Sequence, residues 1–270
     1  MKKVLLIDIG NTNIVFGLCD EDKDFESGYE VLRIPTVLPG KKKEYKNYIL
    51  DFLNQQNILS KDIKSVVIAS VVPNMDAVFK NIIDECFECG YLFIDDKLNL
   101  GMRIRYEKPS NVGADRIVNA VAGRALYGKP ILVVDFGTAV TVDVVSMSGE
   151  YVGGAISQGL GGALEYLGSK TAKLPKIEMK IPKDVIGKTT EESMLSGIYY
   201  SFLGGIKYII SMIKQKNEYK NAKVIATGGY AELYKNETDV FDFIDTELTL
   251  KGLKLIYDKV RIQDAESGSA

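Results

Sequence analysis

A group of short polar residues follows the first apolar run of the chain, and their types suit phosphate binding. The run Val4–Ile7 leads into a turn made of Asp8, Ile9, Gly10, Asn11, Thr12 and Asn13. Backbone N–H groups in such a turn can bind an anion, Gly10 lets the backbone approach a ligand closely, and Asp8 can hold Mg²⁺ directly or through water. Because Asn and Gly also favour ordinary hairpin turns, this turn alone leaves both interpretations open.

The same pattern returns 127 residues later, at Asp135, Phe136, Gly137, Thr138 and Ala139. Two acidic turns from two halves of a protein can face each other across a cleft and neutralise a triphosphate and its cation from both sides. A third element, Thr227-Gly228-Gly229, follows another short apolar run. Its paired glycines would let a base and ribose lie flat on the backbone. Together the three elements predict a site for a nucleoside triphosphate.

The sequence contains no histidine, and this absence limits the catalytic mechanisms and metal sites that the chain can form. The absence excludes Ser-His-Asp catalysis, Cys-His catalysis and zinc sites of the HExxH type. Acid–base work then falls to Asp, Glu, Lys, Tyr or Cys. With 34 basic and 36 acidic residues, the net charge of −2 lends no support to a surface for nucleic acid.

Three cysteines indicate a reducing compartment, which we expect to be the cytoplasm. Cys86 and Cys89 form a lone CxxC pair that suits either a redox or metal role or two inert thiols near a helix end. Only Cys19 remains as a further thiol to complete a zinc site. Asp8 interrupts the first apolar run too early for a signal peptide. No run reaches about 18 apolar residues, so we expect no membrane helix.

Apolar periodicity places these motifs at the ends of regular elements. The first elements follow the order βββαβαβ: Val4–Ile7, Ile14–Leu18, Tyr29–Ile34, Lys43–Gln56, Ser65–Ser70, Met75–Phe87 and Tyr91–Ile94. The order βββαβα then returns at Ile131–Val134, Val140–Val145, Tyr151–Ile156, Glu191–Ile213, Val224–Ala226 and Thr249–Tyr257. This internal repeat predicts two similar α/β halves with a cleft between them. We set the halves at residues 1–118 and 119–262, and we expect residues 263–270 to fray.

In this order the motifs resemble those of the ASKHA superfamily of ATP-using proteins, which includes acetate and sugar kinases, Hsp70 and actin. More closely, the chain is similar to type III pantothenate kinase. The matching segments are IDIGNTN from Ile7, GADRIVNA from Gly113, VVDFGTA from Val133, GGAI from Gly153, KLP from Lys173, IGKTT from Ile186, SG from Ser196 and ATGG from Ala226. The resemblance implies two RNase H-like halves, each a mixed sheet flanked by helices. It also implies transfer of the ATP γ-phosphate to the pantothenate hydroxyl, giving 4′-phosphopantothenate, the first step of coenzyme A biosynthesis.

The resemblance implies a role for Asp115, which opens the predicted helix Ala114–Leu126: it accepts the proton of the pantothenate hydroxyl. An ionised carboxylate suits that role in a chain without histidine, although an Asp in a first helical turn also complements the helix dipole. Arg116 is implied to contact the carboxylate side of pantothenate, the alternative being a surface ion pair. The other implied substrate contacts are Tyr106, Gly113, Ala114 and Thr190, and Thr190 also suits a helix N-cap.

ATP and its cations are implied to bind at the turns described above. The implied ATP contacts are Asp8, Ile9, Gly10, Asn11, Thr12, Asn13, Ile14, Val15, Gly137, Thr138, Gly228 and Gly229. Asp135 is implied to bind a monovalent cation, K⁺ or NH₄⁺, although its residue type does not distinguish K⁺ from Mg²⁺. Asp8 is the candidate ligand for Mg²⁺. The segment Gly187-Lys188-Thr189 imitates a P-loop, but Pro182 stands where the loop needs its first glycine.

A homodimer with pantothenate near its interface is also implied. The predicted helix Glu191–Ile213 carries a stripe that suits either a subunit contact or core packing; its members are Met194, Ile198, Phe202, Ile206, Ile209 and Ile213. Two other functions stay open, namely an ASKHA kinase for another small hydroxyl compound and a nucleotide-binding regulator without turnover. The presence of Asp8, Asp115 and Asp135 argues against the regulator.

Overall fold

The computed structural model describes residues 2–37, 41–171, 173–237 and 239–267. Over these residues the strands are β1 (Lys3–Ile9), β2 (Asn13–Asp20), β3 (Tyr29–Pro35), β4 (Ile63–Ser70), β5 (Gly90–Phe93), β6 (Ile131–Phe136), β7 (Ala139–Val145), β8 (Tyr151–Gln158), β9 (Lys223–Thr227) and β10 (Phe243–Ile244). The α-helices are α1 (Lys42–Gln55), α2 (Pro73–Cys86), α3 (Ala114–Tyr127), α4 (Leu160–Lys170), α5 (Thr190–Lys214) and α6 (Leu248–Ser267). None of these helices is long and apolar enough to cross a membrane.

The chain divides into two units. The first contains the residues up to Gly101, the segment Glu107–Ala122 and the chain from Thr249 onward, and the second contains Met102–Tyr106 and Gly123–Leu248. This division differs from the predicted boundary after residue 118. The reason is that α6 packs with the first sheet, where Leu250 lies against Gly17 of β2. Residues 263–267 continue α6 instead of forming the expected tail, and 268–270 lie outside the described residues.

The first unit is built on a mixed sheet with the strand order β3-β2-β1-β4-β5. Strand β2 is antiparallel to both β1 and β3, whereas β4 pairs in parallel with β1 and with β5. Side chains alternate along β1, so Leu5, Ile7 and Ile9 share one face of the sheet. They are buried in one cluster with Ile49 of α1 and Phe79 of α2. Asp8 therefore lies on the opposite face.

The second unit repeats this topology with the order β10-β9-β6-β7-β8. Strand β7 is antiparallel to β6 and β8, and β9 pairs in parallel with β6 and β10. Val134 and Phe136 on one face of β6 are buried in one cluster with Ile198 and Ile206 of α5. The predicted fold class, two α/β units with mixed sheets flanked by helices, is confirmed. Asp135 lies on the face of β6 opposite to this core.

Helix α4 was not among the predicted elements. Its eleven residues include Gly161, Gly162 and Gly168, and each glycine in a helix interior costs about 1 kcal/mol relative to Ala. Local propensity therefore opposes this helix. Burial of Leu160 and Leu164 in the second core stabilises it instead.

Candidate active site

The first polar turn is a tight connection between β1 and β2. The Gly10 N–H donates to the Asn13 carbonyl at 3.0 Å. Beyond β3, the Thr36 side chain donates to the Gly10 carbonyl at 2.7 Å and its backbone N–H donates to the Thr12 carbonyl at 2.9 Å. A Cβ on Gly10 would lie only 3.0 Å from the Asn13 carbonyl oxygen. The turn is thus fixed from two sides, and Asn11 and Thr12 are exposed at its tip.

Three of the predicted ATP contacts in this turn have buried side chains. Ile9 and Ile14 are fully buried and Val15 is 6% exposed, because all three belong to paired strands. They can reach a ligand only through their backbone. Asp8, in contrast, is half-buried and lies in register with Val15, so its carboxylate lies at the end of β1, next to the turn.

Asp115 is the second residue of α3, and its Oδ1 accepts a hydrogen bond from the Arg116 backbone N–H at 2.7 Å. A Cβ on Gly113 would overlap this oxygen and would also lie 3.3 Å from Val71 Cγ1. Glycine at this position therefore leaves room for the carboxylate. The half-buried Asp115 still complements the helix N-terminus, so the structural and the catalytic role are compatible.

Arg116 is only 7% exposed. Its side chain is therefore not on the exposed surface, where the alternative interpretation placed it. Its planar guanidinium is the side-chain group best suited to bind a carboxylate through two parallel hydrogen bonds. Ala114 is buried as well, so a ligand there would meet its backbone.

The second polar turn, between β6 and β7, has the same construction. The Gly137 N–H donates to the Ala139 carbonyl at 3.1 Å. A Cβ on Gly159, which follows β8, would lie 2.7 Å from the Gly137 carbonyl oxygen and would also overlap that of Thr138. Gly159, the N-cap residue of α4, therefore packs directly against the turn.

Asp135 lies between two threonines on one face of the second sheet. It is in register with Thr141 of β7 and with Thr227 of β9. Gly228 has a φ of +89°, and a Cβ there would overlap Asp135 Oδ1 and lie 2.7 Å from the Phe136 backbone. Thr227 is 1% exposed, and its Oγ1 is buried without a hydrogen-bond partner. Sequence reasoning missed this hydroxyl, because its burial depends on strand pairing between distant segments.

The predicted contacts Gly228 and Gly229 follow directly after β9. Gly229 is exposed and Gly228 is half-buried. The next residue, Tyr230, donates its N–H to the Phe136 carbonyl at 3.2 Å. The glycine pair is thus tied to the strand that carries Asp135.

Two predicted substrate contacts are exposed residues of the second unit. Tyr106 is 38% exposed, and its ring packs against that of Tyr151 at 6.5 Å between centroids. Thr190 is the first residue of α5, but the N-cap is Thr189, whose hydroxyl accepts from the Glu192 N–H at 3.1 Å. The N-cap interpretation therefore belongs to Thr189 and leaves the exposed Thr190 hydroxyl for another role. The segment Gly187-Lys188-Thr189, which imitates a P-loop, therefore ends at the N-cap residue of α5.

The cysteines show no sign of reactivity. Cys19 is buried, and desolvation raises the pKa of its thiol to about 12. Burial also raises the pKa of Cys86 and of Cys89. Thiols with a raised pKa stay protonated at neutral pH and are poor nucleophiles and metal ligands, so inert thiols are the better interpretation. Among the described residues, no group of three or more Cys, Asp or Glu side chains could hold a metal ion.

A family model and the curated relatives point to the same family. A family model described as type III pantothenate kinase matches residues 4–212. A type III pantothenate kinase from Geobacillus kaustophilus is 41% identical over 256 residues, which cover 95% of this chain and 97% of that protein. A type III pantothenate kinase from Agathobacter rectalis is 39% identical with the same coverage. A solved Baf-family structure from Campylobacter jejuni matches with a TM-score of 0.57 at 19% identity, covering 95% of this chain and 98% of that one. This last match shows the shared fold alone.

Proposed function

We propose that this chain, which belongs to the type III pantothenate kinase family, phosphorylates the hydroxyl of pantothenate with ATP and releases ADP. The product is 4′-phosphopantothenate, which makes this the first step of coenzyme A biosynthesis. One observation carries the proposal: the Asp115 carboxylate is held at the start of α3 in space that Gly113 leaves open. In a chain without histidine, this carboxylate is the group suited to accept a hydroxyl proton.

Binding of pantothenate uses groups of different chemistry. Arg116 binds the carboxylate of pantothenate through charge-assisted hydrogen bonds, and Gly113 and Ala114 contribute backbone atoms. Tyr106 and Thr190 offer exposed hydroxyls. These side chains orient the acceptor hydroxyl, and orientation supplies much of the rate in phosphoryl transfer.

Binding of ATP uses the backbone of both turns. The segment from Asp8 to Val15 and the residues Gly137 and Thr138 bind the phosphates, and Gly228 and Gly229 bind the nucleoside. When bound, Mg²⁺ neutralises charge on the phosphate oxygens. We assign Mg²⁺ to the Asp8 carboxylate together with the phosphates themselves, because Mg²⁺ is usually bound by one or two carboxylates and the substrate phosphates.

A monovalent cation fits the surroundings of Asp135. The buried Thr227 Oγ1 lacks a protein partner, and it lies on the same face as the Asp135 carboxylate. Hard cations prefer such oxygen ligands. We assign the K⁺ or NH₄⁺ site to Asp135 with Thr227 as a second ligand. Bound there, the cation supplies positive charge beside the second turn.

Replacing Thr227 by Val is expected to remove the stabilisation that potassium gives. At ten times its dissociation constant, K⁺ should stabilise the wild-type protein by about 1.4 kcal/mol, which corresponds to roughly 3–5 °C in Tm. Thr227→Val should show no such shift, while its Tm without K⁺ stays the same or rises, because an unsatisfied buried hydroxyl is lost. The measurement is thermal unfolding in KCl and in choline chloride of equal ionic strength. Thr227→Ser keeps the hydroxyl and should keep the shift; an equal shift in Thr227→Val would exclude Thr227 as a ligand.

A homodimer is the expected assembly. Core packing is the better interpretation of the predicted stripe on α5, because three of its residues are buried in the core of their own unit and the other three pack against that core: Met194, Ile198 and Ile206, then Phe202, Ile209 and Ile213. Other apolar residues of the second unit are 59–73% exposed: Ile156, Tyr166, Val185, Ile186 and Tyr208. We propose that a second copy of the chain covers them. The mass in solution, measured by light scattering, should be twice that of one chain, and a monomer at micromolar concentration would contradict this.

Substrate profiling tests the proposed function. The purified protein is incubated with Mg²⁺·ATP and a panel of small hydroxyl compounds that includes pantothenate and hexoses, and the products are identified by mass spectrometry. We expect one phosphate on pantothenate and none on the hexoses. Phosphorylation of another compound would identify a different ASKHA-type kinase, and ATP binding without any product would identify a non-catalytic regulator.

We also propose a cytoplasmic location. The three cysteines are free, and free thiols are typical of a reducing compartment.

A further inference from the structure

We propose that Asp143 and Tyr151 are positioning residues that hold Tyr106 in the orientation needed to bind pantothenate. The inference rests on the proposed function, in which Tyr106 contacts the substrate. It concerns two fully buried residues for which neither the motifs nor the family comparison suggests a role.

Tyr151 contacts the segment that carries Tyr106 in two ways. Its backbone N–H donates to the Arg103 carbonyl at 2.9 Å, and its carbonyl accepts from the Arg105 N–H at 2.7 Å. Its ring packs against the Tyr106 ring at 6.5 Å and an interplanar angle of 52°. Two neighbouring backbone bonds and a ring contact leave this short segment little freedom. The position of Tyr106 therefore follows that of Tyr151.

A β-bulge determines where the Tyr151 side chain points. Strands β7 and β8 pair Val144 with Gly153 but Val145 with Tyr151, so Val152 is the extra residue. In a regular register Tyr151 would shift by one position and its ring would lie on the other face of the sheet. The bulge places Tyr151 on the face that carries Val145 and Asp143. A bulge that redirects one side chain in this way is a common device next to binding sites.

Asp143 fixes the phenol of Tyr151. The Tyr151 hydroxyl donates to Asp143 Oδ1 at 2.8 Å, and the Thr141 hydroxyl donates to Oδ2 at 2.9 Å. Asp143 is 0% exposed. A buried carboxylate is costly unless donors satisfy it, so this network strongly prefers one geometry. Asp143 thus holds the Tyr151 side chain through a hydrogen bond, and the Tyr151 ring in turn packs against Tyr106.

Tyr151→Phe tests this inference, because it removes one hydroxyl and keeps the ring and both backbone bonds. We expect KM for pantothenate to rise about fivefold, equivalent to about 1 kcal/mol, with kcat and KM for ATP changed less than about twofold. Amide hydrogen exchange of Arg105 should also become faster, since its partner Tyr151 is held less firmly. A general loss of stability would instead reduce the fraction of active molecules. It would therefore lower kcat and would not raise KM for pantothenate selectively.

Tyr257→Phe is the matched control. Tyr257 is also buried and donates its hydroxyl to a carboxylate at 2.8 Å, that of Glu21 in the first unit. We expect Tyr257→Phe to leave KM for pantothenate unchanged. Equal KM values for Tyr151→Phe and the wild type, or an equal rise in the control, would overturn the inference. A wild-type protein that does not phosphorylate pantothenate would instead overturn the proposed function, and the exchange of Arg105 would still report whether Tyr151 holds the segment. If Tyr151→Phe does not fold, Asp143→Asn is measured in the same way.

Discussion

Replacing Asp115 by Asn is expected to lower kcat by roughly 10²- to 10⁴-fold, the range that a general base supplies. The amide is isosteric, and its oxygen can still accept the hydrogen bond from the Arg116 N–H. Binding of both substrates should therefore survive, and KM for ATP should stay within about twofold, because the interaction is lost only in the transition state. Steady-state ADP release measures kcat, and thermal unfolding shows whether the variant is folded.

Asp76→Asn is the control for a mere helix-dipole effect. Asp76 also lies in the first turn of a helix, α2, is half-buried, and accepts a hydrogen bond from the Ser70 hydroxyl at 2.6 Å. Removal of a first-turn carboxylate weakens the dipole interaction by about 0.3–1 kcal/mol. Asp76→Asn should thus cost some stability and leave kcat nearly unchanged. Similar turnover in the two variants would show that Asp115 acts only on its helix.

Replacing Gly228 by Ala is expected to lower kcat/KM for ATP by about 100-fold, the cost of a misplacement of about 1 Å in a site of this kind. The new Cβ would overlap Asp135 Oδ1 and lie 2.7 Å from the Phe136 backbone. Either the carboxylate or the second turn must move. Potassium should also lose its effect on Tm, because the ligand geometry at Asp135 is lost.

Gly128→Ala separates this displacement from backbone strain. Gly128 has the same φ of +89°, but nothing lies within 4 Å of its Cβ position. A non-glycine residue in this conformation costs about 1–2 kcal/mol wherever it occurs. Gly128→Ala should lose that stability and keep its activity. If Gly228→Ala keeps its activity too, the Asp135 carboxylate is not held as proposed.

Local signals made much of the site predictable. The turns at Gly10 and Gly137 follow apolar runs and contain glycine and short polar residues, so residue type and spacing suffice to identify them. The role of Asp115 came from the family resemblance of the GADRIVNA segment, because its place in a first helical turn suits a helix-dipole role equally well. Both turns depend on neighbours within a few residues, and the structure shows each of them between two paired strands.

Features that depend on distant segments were not predictable. The orphaned hydroxyl of Thr227 results from pairing between β6 and β9, and the orientation of Tyr151 results from a bulge whose partner strand is β7. The direction of the apolar stripe on α5 required the position of the second sheet. At the start of α5 the sequence offered two adjacent threonines, and only the backbone geometry identifies Thr189 as the cap.

The release of ADP by the purified protein tests the central claim most directly. The protein is given Mg²⁺·ATP with and without pantothenate, in KCl and in choline chloride of equal ionic strength. We predict that ADP release requires pantothenate and rises with potassium. An ADP release that pantothenate does not change, or none under either salt, would contradict the assignment of this chain as a pantothenate kinase.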